Sequence, residues 1–195
     1  RALELLGIIK TVPGGGNYIA DDLDSWLIGP LSILFKLNNG YIRQTQQLRA
    51  ALEREMAILA ARKCTPLDAA ELWRILSSID KAEDEKTRGE LDKELHTQIA
   101  KIADNPMIYS VLAAADQLTE NIIAGTRDYI MKKNRPEFKV DEQHRLLVEA
   151  IINNDEKGAE QYMSEHMEII EKCMDEMQKN SNNKRPANGI VIGGE

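Results

Sequence analysis

Three histidines occur in this 195-residue chain, and each lies within a run of helical periodicity. His96 follows Asp92 by four residues in "ELDKELHTQIA", so an imidazole and a carboxylate leave one helix face about a turn apart. His144 stands in "DEQHRLLVEAI" and His166 in "MSEHMEIIEK". Helical spacing puts Asp92 and His96 on a face with Ile99 and Ala103. It puts His144 with Leu147, Val148 and Ile151, and His166 with Tyr162, Met163, Ile169, Ile170 and Cys173. All four polar groups therefore point toward an apolar interior. A buried carboxylate without a partner costs several kcal/mol, so that interior must supply a cation or donors. A divalent metal held by Asp92, His96, His144 and His166 would do so, and facing helices of a bundle are a natural place for one. The ordinary role of any single histidine on an apolar face is a core residue bonded to a carbonyl or water. Spacing alone leaves both readings open.

A second polar group fits the same interior. In "LRAALEREMA", Arg49 lies beside a stripe of Leu52, Met56 and Leu59. A guanidinium there could capture a ligand carboxylate in a bidentate pair. The alternative is a surface arginine paired with Glu53 one turn on.

The elements that must position these groups read as an antiparallel helical bundle. Charged residues make up 29% of the chain and aromatics 5%, and β-branched runs are scarce after Ala20, which favours helix over sheet. The expected fold class is all-α. About seven helices with short connections run from Asp21 to Asn180, several bounded by cap or stop signals such as Thr65-Pro66 and Asn105-Pro106. The net charge of -7 excludes a chain coated with phosphate-binding cations, so any DNA contact must be local. Cys64 and Cys173 have no close Cys-x-x-Cys spacing and are expected as reduced, buried thiols. The most apolar stretch, "WLIGPLSILFKL", falls short of the about 20 residues that span a bilayer, so the expectation is a soluble, cytoplasmic protein with no membrane partner. Arg1 is not an initiator Met, which suggests a start inside a larger protein.

The beginning of the chain departs from the helical pattern. "RALELLG" reads as a helix end stopped at Gly7, "IIKTV" as a strand, "PGGG" as a turn tolerant of positive φ, and "NYIA" as a returning strand. The tail "SNNKRPANGIVIGGE" is polar and Gly-rich and is expected to be flexible.

Four stretches together resemble the GntR transcription regulators, specifically the FadR-type subgroup with the FCD ligand-binding domain. "RALELLGIIKTVPGGGNYIA" is similar to the end of the recognition helix and the wing of a winged helix-turn-helix. "LRAALEREMAILAARKCTPLD" resembles the first FCD helix, "ELDKELHTQIAKIADNPMI" its Asp-x-x-x-His segment, and "HRLLVEAIINNDEKGAEQYMSEHM" its paired-His segment. The resemblance implies four regions. Residues 1–20 would be a truncated DNA-binding domain, 21–40 a linker with a first helix, 41–179 the effector-binding domain, and 180–195 the tail. It implies metal ligation by Asp92, His96, His144 and His166, with zinc foremost and nickel, manganese or iron as alternatives. Arg49 and Asn105 would contact an effector, and Lys10, Gly14 and Gly15 would meet DNA, although Lys10 has the alternative of an ordinary solvated lysine. Asp104 stands before Asn105 where a small residue is more usual, which leaves the role of Asn105 open. The implied protein is a homodimeric regulator, a repressor of a metabolic operon, that binds operator DNA and senses a small organic acid or sugar acid.

Three competing readings differ in what they need. A metal-dependent bundle enzyme would need a general base or nucleophile beside the ligands, and none is evident, so no enzymatic activity is expected. A purely structural metal would leave effector response unchanged when lost. A metal-free acyl-CoA binder fits poorly with four intact ligand positions.

Overall fold

Short-range signals start and stop most of the helices. The computed structural model describes residues 2–5, 8–19, 42–116, 129 and 140–182. Helix α1 (Ala2–Leu5) precedes strands β1 (Ile9–Val12) and β2 (Gly16–Ile19), which pair antiparallel with Ile9 opposite Ile19 and Lys10 opposite Tyr18. Then come α2 (Ile42–Lys63), α3 (Pro66–Lys81), α4 (Glu85–Ala103), a helical stretch at 106–116, α5 (Val140–Ile152) and α6 (Glu156–Asn182). The helix expected between Asp21 and Asn39 lies outside the described residues. Helix α6 continues to Asn182, overlapping the first residues of the expected tail, and 183–195 lies outside the description.

Several boundaries have a local cause, and two are also held from α2. Pro66 opens α3 with its ring already at a helical φ, and Thr65 and Asp68 form a reciprocal capping box at 3.3 and 3.0 Å. Asp84 Oδ1 accepts the Thr87 N–H at 2.9 Å to start α4, which ends where Asp104 turns left-handed at φ 47°. Lys63 Nζ donates to the carbonyls of Ala103 and Asp104, satisfying that helix end from α2. Between α5 and α6, Asn154 adopts φ 54° and its Nδ2 donates to the Ala61 carbonyl at 2.7 Å, pinning the connection to α2.

Helix α2 is the axis of the arrangement and packs against α4, α5 and α6, while α3 packs on α4 and α5. Ala57, Ala60 and Ala61 on α2 are fully buried, and such small side chains let neighbouring helices approach closely. They meet Leu72, Ile75 and Ile79 of α3, Leu95 and Ile99 of α4, Leu147, Val148 and Ile151 of α5, and Met163 of α6 in one apolar cluster. Burying each large aliphatic side chain stabilises the fold by about 1.5–3 kcal/mol. A smaller cluster of Met56, Ala100, Ala103 and Leu112 continues the core toward 106–116. Neither cysteine forms a disulfide among the described residues, and Cys173 is buried and Cys64 half-buried. Among the described residues no helix is long and apolar enough to cross a membrane.

Candidate metal centre

Four helices bring the polar groups together. Arg49 and Glu53 come from α2, Asp92 and His96 from α4, His144 from α5 and His166 from α6. The rest of each helix face is the apolar core just described, so packing that core drives the polar groups inward. His144 is 1% exposed and His166 4%. The three rings lie close, with centroids 4.6 Å apart for His144 and His166, 5.2 Å for His96 and His166, and 5.6 Å for His96 and His144. One nitrogen from each can be chosen so that all lie within 4.8 Å of one another. Asp92 Oδ1 is 3.1 Å from His144 Nε2 and joins the group from the adjacent turn of α4.

The donor set fits a divalent metal. His166 Nδ1 is buried with no hydrogen-bond partner among the described residues. Burial, and next the neighbouring His144 and His96, push the His166 pKa well below its ordinary value, so the imidazole is neutral with a lone pair available. A neutral imidazole is the metal-binding form, so His166 would hold a divalent ion together with His96 and His144 beside it. The ion would engage a His166 nitrogen that its surroundings leave without a hydrogen bond.

Beside the histidines lies a buried ionic chain. Glu53 is 2% exposed; its Oε1 accepts from Arg49 Nη2 at 2.7 Å and its Oε2 is 2.5 Å from His96 Nδ1. Burial alone would raise the Glu53 pKa, but His96 and Arg49 outweigh it and hold the carboxyl at about 2. Burial alone would lower the His96 pKa, but Glu53 outweighs it and raises the imidazole to about 9. In the metal-free protein His96 is thus a cation, and binding a metal there must release its proton. Arg49 further contacts Asp116 Oδ1 through Nε at 2.6 Å and Gln46 Oε1 through Nη1 at 3.2 Å. Burial is also the main influence on Asp116 and raises its carboxyl, with Arg49 opposing it.

The expected site residues are distributed unevenly. Asp92, His96, His144 and His166 converge, and Arg49 is joined to them through Glu53. Arg49 does pair with Glu53, as its alternative reading held, but the pair is buried rather than on the surface. Asn105 acts as a helix cap, its Oδ1 accepting the Ile108 N–H at 3.2 Å and its carbonyl the Tyr109 N–H at 3.0 Å. Lys10 is exposed on β1. Gly14 takes φ +80° at the hairpin turn, where a side chain would be strained, and Gly15 donates its N–H to the Val12 carbonyl at 2.9 Å. Sequence reasoning missed the contact of Glu53 with His96, and Asp116 altogether. A signal existed for the place of each beside the core, though not for the partner it meets. Glu53 shares a face with Met56, Ala57 and Ala60, and Asp116 ends the apolar run "VLAAAD".

The chain is similar to known proteins in sequence and in fold. The FCD domain family model matches residues 44–169. The HTH-type transcriptional regulator YcbG of Bacillus subtilis (strain 168) is 28% identical over 173 residues, covering 87% of this chain and 68% of that protein. An Escherichia coli (strain K12) protein named "Putative L-lactate dehydrogenase operon regulatory protein" is 23% identical over 172 residues, covering 86% of this chain and 66% of its own length. The chain thus spans about two thirds of these relatives. The solved structure of Streptococcus agalactiae GntR shares the fold, with a TM-score of 0.64 at 23% identity, over 88% of this chain and 78% of the other.

Proposed function

We propose that this chain, which belongs to the FCD domain family of GntR-type transcription regulators, senses a small organic acid or sugar acid at a metal-containing pocket in its helical bundle. The observation that carries the reading is the convergence of Asp92, His96, His144 and His166 next to a buried arginine. These four residues would hold the ion, zinc foremost and nickel, manganese or iron as alternatives. When bound, the metal supplies positive charge and open coordination positions for carboxylate or hydroxyl oxygens.

The protein's own residues supply orientation. Arg49 is fixed by Glu53 on one side and Asp116 on the other, and Asp116 is the more exposed of the two carboxylates, its side chain 32% accessible against 3%. An incoming carboxylate would exchange with Asp116 at the guanidinium while the Glu53 contact persists. The similarity to a protein named for an L-lactate dehydrogenase operon supports a small hydroxy acid as one effector candidate and a metabolic operon as the target.

Residues 1–20 would be the end of a recognition helix and the wing, with Lys10, Gly14 and Gly15 at the DNA. Residues 21–40 would link it to the effector domain at 41–179, followed by a tail at 180–195. The working unit would be a cytoplasmic homodimer acting as a repressor. Asn105 would contribute to the effector site through its position at the start of 106–116, the stretch that carries Asp116.

The test is a thermal-shift screen of lactate, other small carboxylates and sugar acids, with and without chelator, paired with operator release by the intact regulator. A ligand that raises stability only when metal is present, and releases DNA without being consumed, supports the reading. Turnover of the ligand, or release that survives His144→Ala, overturns it.

A further inference from the structure

Building on the metal reading above, we propose that Glu53 is the positioning residue of the centre: its buried carboxylate holds His96 by Nδ1, leaves Nε2 for the ion, and ties that ligand to Arg49. An imidazole has two nitrogens, and what one of them bonds decides which is offered to a metal. Glu53 Oε2 sits 2.5 Å from His96 Nδ1 while Oε1 is 2.7 Å from Arg49 Nη2, so both oxygens are already engaged with neighbours of the ligand set. The carboxylate is 2% exposed, so water does not compete for these contacts.

The orientation comes from another helix. Glu53 stands on α2 and His96 on α4, two helices that pack directly together. Asp92, the acidic neighbour of His96 on its own helix, is turned instead toward His144 Nε2 at 3.1 Å. The two carboxylates therefore divide the work, Asp92 with the ligand set and Glu53 behind it. Because Glu53 also grips the guanidinium, movement of Arg49 on binding a carboxylate is transmitted to a metal ligand through one side chain. Metal and effector affinities are consequently coupled.

The experiment compares the full chain with its Glu53→Gln variant, which keeps the shape and removes the charge. Zinc affinity is measured by competition with a chromophoric chelator, and nitrogen-15 spectra of the imidazoles are recorded on the zinc-loaded protein. The expected result is a zinc affinity about 10- to 100-fold weaker in the variant at unchanged helical content, with zinc on His96 Nε2 and a proton on Nδ1 in the parent protein. Unchanged zinc affinity in Glu53→Gln overturns the proposal, as does zinc on His96 Nδ1. If the variant does not fold, the spectrum of the parent protein decides alone. A parent protein that takes up no zinc removes the metal reading and this proposal together, whereas zinc binding with an indifferent variant removes only the role of Glu53.

Discussion

Side chains of the β1–β2 hairpin face solvent almost throughout, whereas around His144 charged groups are sealed among aliphatic ones. The hairpin is held by its own ladder, by the Gly15 N–H to Val12, and by Tyr18 Oη donating to the Gly15 carbonyl at 2.7 Å. Every one of these bonds spans ten residues or fewer. A two-stranded hairpin of this kind is at best marginally stable alone, and its shape follows from turn chemistry. The site is the opposite case. Its partners come from α2, α4, α5 and α6, and polar groups gathered from distant helices are tolerated only because packing forces them together and each finds a charge nearby. Stability is therefore spread unevenly: most hairpin side chains can be replaced without cost to the bundle, and few of those at the centre can.

That contrast can be broken at several points. Leu147→Ala, next to the histidines in the core, should destabilise the bundle by about 2–5 kcal/mol in urea unfolding, while Ile19→Ala in the hairpin should leave the same transition in place. Equal losses would mean that the two regions share one cooperative core. Zinc at about 100 times its dissociation constant should add about 2.7 kcal/mol to the metal-stripped protein, and His144→Ala should abolish that increment whatever its own baseline.

The pH response of the metal-free protein sharpens the comparison further. Glu53 is depressed from 4.5 to about 2, so its contribution is present above pH 4.5 and disappears as pH falls through about 2. His96 is raised from 6.5 to about 9, so its contribution is complete below pH 6.5 and disappears as pH rises through about 9. Unfolding measured across this range in chelator should show both limbs, and Glu53→Gln should flatten them. The smallest effect belongs to the hairpin: Lys10→Ala should leave melting unchanged and reduce the salt slope of operator binding by about one in the intact regulator.

Much of the bundle was legible in the sequence because its signals are local. Thr65-Pro66 and Asn105-Pro106 announced helix boundaries, and the 3.6-residue spacing around His144 assigned Leu147, Val148 and Ile151 to the core, where they lie. The convergence of the histidines was legible only as a shared tendency to face inward, since periodicity fixes a face but not a neighbour. Glu53 shows the limit. From spacing it is the i+4 partner of Arg49, and nothing local says that its second oxygen meets a histidine 43 positions later. Asn105 shows the reverse, a residue implied by resemblance to touch an effector whose described contacts are those of a cap.

By itself, then, the sequence determined the helical character, the caps, the Gly14 turn and the inward direction of every histidine, because these depend on backbone preference and on spacing within one element. Which inward groups meet depends on how the helices cross. Helix crossings set the distances between His144, His166 and His96, and they bring Glu53 so close to His96 that the attraction between the two outweighs the burial that would otherwise neutralise both.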